Sequence, residues 1–304
     1  LRIAAATVRA PLAAALCASA ASVAAQVVAD PPSVCEPCDA WNAPQEPFRI
    51  FGNTYYVGTA ELSAILVTGD DGHVLIDTAL PQSAPLIDAN IASLGFRTAD
   101  VRLILHSHAH FDHVGGLAAL QRASGAAVAT SPRAAEALRL GDVTPDDPQY
   151  DTEASEFPRV ENVRVIADGE TLSVGDVRVT AHFTPGHTPG SLTWTWRSCE
   201  GSRCLDVVYA DSLTPVSADD FRFTDKPSLV AAFERSIDTV AALPCDIVLA
   251  PHPGFIGLQE KLRRLAAGDS DAFVDANGCR AYADAVRTRL RNRLAEERAG
   301  TGGL

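Results

Sequence analysis

Basic residues are scarce in this chain: 25 lysines and arginines face 38 acidic residues, leaving a formal charge of −13. A nucleic-acid partner would need a basic footprint, so that class is excluded. Docking on an anionic lipid surface is disfavoured for the same reason. The Ser-x-x-Lys motif of serine acyl-transfer enzymes is missing too. Ser131-Pro-Arg-Ala and Ser228-Leu-Val-Ala both lack the lysine, which removes that covalent route. The alanine-rich run at residues 11–25 is too short and too weakly apolar for a spanning helix. Methionine is absent altogether, so an initiator is either lost or read from another codon.

What the N-terminus does hold is an export pattern. Arg2 and Arg9 precede the apolar run, and Ala-x-Ala-type sites follow near Ala20 and Ala25. Basic, then apolar, then small is the order of a secretory signal, so residues 1–25 are expected to be cleaved near Ala25-Gln26, with the periplasm as destination. The bulky Leu16 just before Cys17 argues against a lipoprotein. Removing the signal takes Cys17 and leaves six of the seven cysteines, an even number that favours disulfides in an exported protein. Cys199 and Cys204 flank Glu-Gly-Ser-Arg, where one bridge would close a hairpin loop. Cys245 and Cys279 are the remaining distant pair. Cys35-Glu-Pro-Cys38 is expected as a small surface bridge, because no βαβ context supports a thioredoxin-like redox site.

With 47% hydrophobic residues, the chain can bury one large core or two small ones. Residues 26–47, rich in proline and polar side chains, read as an extended arm with Trp41 as a packing anchor; residues 48–304 read as one domain. Short β-type runs are expected at 55–57, 62–67 and 73–76, with Asp70-Asp71-Gly72 as a hairpin turn. His73 borders that turn and is expected to be exposed. Asp77 reads as a cap or a site-bracing carboxylate. Helices are expected at 85–94, 117–122 and 132–140, the last capped by Ser131, around strands at 101–105 and 127–130. Strands alternating with helices indicate a layered α/β unit.

Residues 141–160 break the pattern with Asp142, Asp146, Asp147, Asp151, Glu153 and Glu156 and no periodicity. Two readings stand, a solvated connection or a lid. Beyond it, strands are expected at 163–166, 171–172, 177–182, 192–196, 205–209 and 247–250, with helices at 229–243, 258–267 and 279–297.

The rest is organised around Leu103-Ile-Leu-His-Ser-His-Ala-His-Phe-Asp-His-Val-Gly-Gly116. An apolar strand empties into four histidines and an aspartate. Side chains alternate faces in an extended segment, so His108 and His110 point the same way and can share an ion. Asp112 and His113 follow where Val114-Gly115-Gly116 starts a new element, so they aim elsewhere and suit a second ion. Imidazoles and a carboxylate without thiolate suit zinc with a position open to water. His187 and His252 likewise follow strands, among Pro and Gly, as a site assembled from several strand ends requires. His106 and His182 read as packed structural residues.

His108-x-His110-x-Asp112-His113, with His187 in Gly-His-Thr-Pro-Gly-Ser and His252 in Pro-His-Pro-Gly, resembles the metallo-β-lactamase superfamily. The absence of a cysteine ligand and the tract from Ala181 to Trp196 resemble subclass B3. The resemblance covers residues 41–297. It implies an α/β fold, the αβ/βα four-layer sandwich with two mixed β-sheets flanked by helices. By motif, His108, His110 and His187 would hold one zinc, and Asp112, His113 and His252 a second. Ser212 and Thr214 would hold the substrate carboxylate, with threonine at Thr214 where a second serine is common. The implied activity is hydrolysis of the β-lactam amide of penicillins, cephalosporins and carbapenems by a hydroxide that two Zn2+ ions generate near neutral pH, with Asp112 catalytic. The implied partner is a small-molecule β-lactam, with no nucleic acid, no membrane after signal cleavage, and a monomer as the expected state. The rival is a glyoxalase-II-like thioesterase or lactonase on the same fold, whose relatives bridge the metals with an aspartate near the position of Asp211.

Overall fold

Continuous apolar runs specify strands buried on both faces, and the first half of the chain is built from them. In the computed structural model, which describes residues 27–152 and 155–300, helix α1 (Cys38–Trp41) leads into β1 (Phe48–Phe51), β2 (Thr54–Tyr56), β3 (Ile65–Val67) and β4 (His73–Ile76). Helix α2 (Ala84–Ser93) precedes β5 (Val101–Leu105). Then come α3 (Phe111–Val114), α4 (Leu117–Ser124), β6 (Ala127–Thr130), α5 (Pro132–Leu140) and β7 (Val163–Val165). The second half supplies β8 (Thr171–Val174), β9 (Val177–Phe183), β10 (Leu192–Glu200), β11 (Arg203–Tyr209), α6 (Pro227–Ala242), β12 (Ile247–Leu249), α7 (Leu258–Ala266) and α8 (Gly278–Ala299). The expected signal at 1–25 lies outside the described residues.

Two mixed sheets result. One runs β1 to β7 in chain order, antiparallel as far as β4 and parallel from there on. The other runs β12-β11-β10-β9-β8, parallel only between β11 and β12. Alternation along the strands sorts side chains between cores. Leu66, Leu75 and Ile104 pack against Ile87 and Ile91 of α2 and Leu117 and Leu120 of α4. Their neighbours Ile65, Val74, Ile76 and Leu105 face Trp194, Val207, Tyr209 and Ile247 of the second sheet. On its far side, Val208 and Val248 pack against Phe233 and Ile237 of α6 and Val286 and Leu290 of α8. Three cores between four layers are the αβ/βα sandwich. Each of these buried aliphatic side chains contributes about 1.5–3 kcal/mol, so the strand ends that carry the polar groups rest on a stiff base.

Ser131 caps α5 as expected, its side chain accepting from the backbone N–H of Ala134. Bridges join Cys35–Cys38, Cys199–Cys204 and Cys245–Cys279. Cys199 and Cys204 lie directly opposite each other at the end of the β10–β11 ladder. His73 departs from expectation. It is only 8% exposed, because Phe96 from the loop after α2 packs edge-on against it with ring centroids 5.2 Å apart. Nearness to a turn does not set exposure when another loop folds over the same edge. The strand at Phe48–Phe51 has no counterpart in the sequence reading; pairing with β2 creates it.

Candidate metal centre

Three strands end at one edge of the sandwich and each delivers histidine. After β5 the chain carries His108 and His110 and turns into α3 with Asp112 and His113; after β9 comes His187; after β12 comes His252. Asp77 ends β4 with a left-handed backbone, φ 59°, a conformation that aspartate tolerates better than most residues. Its buried carboxylate accepts from Ser107 N at 2.6 Å, Ser107 Oγ at 2.8 Å and Tyr209 Oη at 2.6 Å. It therefore braces the histidine stretch from beneath, and His113 Nδ1 lies 3.6 Å from it.

The imidazoles converge. His108 stands 4.7 Å from His110, 4.5 Å from His187 and 4.3 Å from His113, centroid to centroid. One ligand atom each from His108, His110 and His187 lies within 4.8 Å of the others, and the same holds for His108, Asp112 and His113. His252 joins through Asp112, whose Oδ2 is 3.3 Å from His252 Nε2 and 3.1 Å from His113 Nε2. Six residues spread from 108 to 252 thus meet in one place.

Each of three rings is oriented by a partner on its other nitrogen. His108 Nδ1 is 2.8 Å from Asp211 Oδ1, and His187 Nδ1 donates to Thr214 O at 2.8 Å. His110 Nε2 faces Asp147 at 3.3 Å. Such contacts fix the ring and leave the opposite nitrogen for a metal. His108 Nε2 is buried with no hydrogen-bond partner, as is Ser212 Oγ. Buried polar atoms are nearly always satisfied, so an unpartnered imidazole nitrogen among other imidazoles fits a cation. The donor set of neutral imidazoles and one carboxylate is of the type that zinc takes. His106 stands apart, bonded to Thr130 Oγ1 at 2.7 Å, and His182 bonds Thr195 Oγ1 at 2.9 Å.

Burial governs the protonation of this cluster. It pushes His187 down to about 3 and His106 to about 4, against an ordinary 6.5. Burial and the neighbouring imidazoles hold His108 well below its usual range. Burial alone would raise Asp112, but His113 and His252 hold its carboxyl well below the usual range. Neutral imidazole is the form that binds metal. One consequence concerns stability. Below its ordinary imidazole value an unfolded chain takes up protons that His106 and His187 refuse in the fold, so the metal-free protein loses stability as pH falls from 6.5 toward 3. His110 acts in the opposite sense, since burial opposes its charge but Asp147 raises it overall. The raised carboxyls of Asp77 and Asp211 act in the same sense as His110, but the five lowered imidazoles, His73, His106, His108, His182 and His187, outnumber these three raised groups. Chelator-treated protein should melt at a lower temperature at about pH 5 than at about pH 7, and an equal or higher melting temperature at the lower pH would contradict this.

The cluster forms the floor of a cavity of about 400 Å³, walled by Trp41, Glu61, Phe111, Val143, Gln149, Val216 and Phe255 among others, with Thr214 on its rim. Ser212 is buried, and both its carbonyl and that of Asp211 accept from Tyr282 Oη. Trp41 packs as expected and does so at the cavity wall: its ring lies 5.5 Å from His252 and 6.2 Å from Phe111. Of the acidic stretch, Asp146, Asp151 and Glu156 are exposed to solvent, while Val143, Gln149, Thr152 and Ser155 line the cavity. Asp147, Asp211 and the Thr214 carbonyl had no local signal as partners of histidines; each acts across tens of residues. Phe255 was within reach, three residues after His252.

Residues 61–252 match the family model described as the metallo-beta-lactamase superfamily. Among solved structures, Rm3 metallo-beta-lactamase is 54% identical and superposes with a TM-score of 0.85 over 87% of this chain and 99% of that one. MEM-A1, a subclass B3 metallo-beta-lactamase isolated from a soil metagenome library, is 47% identical, with a TM-score of 0.83 over 86% of this chain and 99% of its own. The acyl-coenzyme A thioesterase MBLAC2 of Bos taurus is 30% identical over 222 residues, 66% of this chain and 76% of that protein. The matched segment spans every strand end that carries the histidine cluster, and the chain belongs to the metallo-β-lactamase superfamily, with its structural likeness to subclass B3.

Proposed function

We propose that the chain hydrolyses the amide bond of β-lactams, penicillins, cephalosporins and carbapenems among them, with two zinc ions, and so confers resistance to them. The observation that carries the reading is the convergence of five imidazoles and one carboxylate on the floor of an apolar-walled cavity. Similarity to Rm3 metallo-beta-lactamase at 54% identity supports the substrate class. His108, His110 and His187 would hold one ion, and Asp112, His113 and His252 the other. When bound, the ions supply Lewis acidity and acidify water toward a pKa of about 7.

The chain's own groups do the rest. Asp112, anionic at neutral pH, orients the attacking water, accepts its proton and returns it to the lactam nitrogen as the C–N bond breaks. Thr214, which lines the cavity, holds the substrate carboxylate by a hydrogen bond; Ser212, expected to share that role, is buried and does not line the cavity. Trp41, Val143, Val216 and Phe255 cover the bicyclic body of the substrate and exclude bulk water. Export to the periplasm by residues 1–25 is part of the proposal, supported by three disulfides, which persist in oxidising compartments.

The second reading, thioester or lactone cleavage on the same centre, rests on the 30% identity to an acyl-coenzyme A thioesterase. Asp211, the carboxylate nearest the position of a bridging aspartate, is engaged by His108 Nδ1 and by Leu213 N and does not line the cavity, which weighs against it. Purified zinc-loaded protein should hydrolyse a chromogenic cephalosporin, lose the activity to a chelator and regain it with zinc. Metal-loaded protein that cleaves an acyl thioester but no lactam would overturn the assignment.

A further inference from the structure

The stretch at 141–160 joins α5 to β7, and among its described acids only Asp147 is buried, at 4% exposure. A buried carboxylate is costly unless paired, and a loop that merely connects has no reason to carry one. Its partners are specific. Oδ1 and Oδ2 lie 3.3 and 3.4 Å from His110 Nε2, and Oδ1 also accepts from Gln149 N at 2.9 Å. The backbone around it is pinned as well: Asp147 N donates to Thr144 O at 2.8 Å and Tyr150 N to Asp147 O at 3.0 Å. One residue on, Pro148 O accepts from Ala218 N at 2.8 Å, which ties the loop to the segment after β11. Gln149 brings its amide nitrogen to 3.4 Å from His110 Nδ1, the nitrogen a metal would take, so that contact has to yield when an ion binds there.

We propose that Asp147 is a positioning residue for His110: its carboxylate accepts a hydrogen bond from Nε2–H, turns Nδ1 toward the metal and makes the 141–160 loop a determinant of metal affinity. The other two rings of the first cluster are oriented from the segment that follows β11, through Asp211 and the Thr214 carbonyl. His110 alone among the three is oriented from the 141–160 stretch. The inference rests on the metal-binding part of the proposed function and not on lactam chemistry. Loss of carboxylates that orient metal-bound histidines costs about 10–100-fold in affinity in known cases.

The experiment is a zinc titration of the purified protein against a competing chromophoric chelator, with the visible absorption of the cobalt(II)-loaded protein as a second readout. Asp147→Asn should bind zinc about 10–100-fold more weakly than the parent and shift the cobalt bands. Asp147→Glu, whose carboxylate is kept but displaced by a methylene, should lose less. Asp146→Ala removes the neighbouring exposed ion pair to Arg133 and the hydrogen bond from Thr144 Oγ1 without touching His110 and should bind like the parent. Unchanged affinity and unchanged cobalt bands in Asp147→Asn overturn the proposal. So does an equal loss in Asp146→Ala, which would assign the effect to loop folding. If Asp147→Asn does not fold, Asp147→Glu against Asp146→Ala decides: equal affinities overturn it. A parent protein that binds no zinc would instead sink the metal reading itself.

Discussion

Asp112→Ala is expected to lower lactam turnover by two decades or more, about 3 kcal/mol of barrier, and to reduce the bound metal. Asp112 is the one carboxylate of the cluster, with Oδ2 3.1 Å from His113 Nε2 and 3.3 Å from His252 Nε2. Its loss leaves two imidazoles facing each other without the anion that draws them together, and takes away the group proposed to steer the proton. Burial disfavours its charge, yet His113 and His252 hold it ionised, so the substitution removes a full negative charge from a water-poor site. Asp112→Asn keeps the shape and deletes the charge, and should behave nearly as badly. Steady-state rates together with atomic absorption check this, and turnover like that of the parent would remove Asp112 from the mechanism.

His187→Ala is the second large effect. His187 is the only member of the cluster supplied by β9, and it sits 4.5 Å from His108 and 5.0 Å from His110, centroid to centroid. Catalytic zinc sites keep three protein ligands and an open position; two imidazoles would hold the ion far less firmly. The variant should lose about one metal ion per chain and nearly all turnover. Its fold should survive, because the ring packs on the cavity floor and not in any of the three cores. Unchanged metal content would contradict the proposed ligand set.

What could be read in the sequence followed from local rules. Val101–Leu105 is a strand with the expected ends and Ser131 opens α5, while the new element expected from Val114 begins three residues earlier, with α3 at Phe111. Alternation put His108 and His110 on one side of the chain, and they meet. What could not be read depends on contacts between distant segments. Asp211 reaches His108 across 103 positions, Asp147 reaches His110 across 37, and the Thr214 carbonyl reaches His187 across 27. One aspartate in an acidic, aperiodic loop looks like any other until the fold buries it. Trp41 posed the same difficulty: an aromatic ring in a proline-rich arm packs somewhere, but only the assembled sandwich brings it beside His252.

The most direct measurement is anomalous diffraction at the zinc edge from a crystal grown in excess zinc. Two peaks are expected, one coordinated by His108, His110 and His187 and the other by Asp112, His113 and His252. A map with His187 and His252 remote from any peak near residues 108–113 would contradict the account.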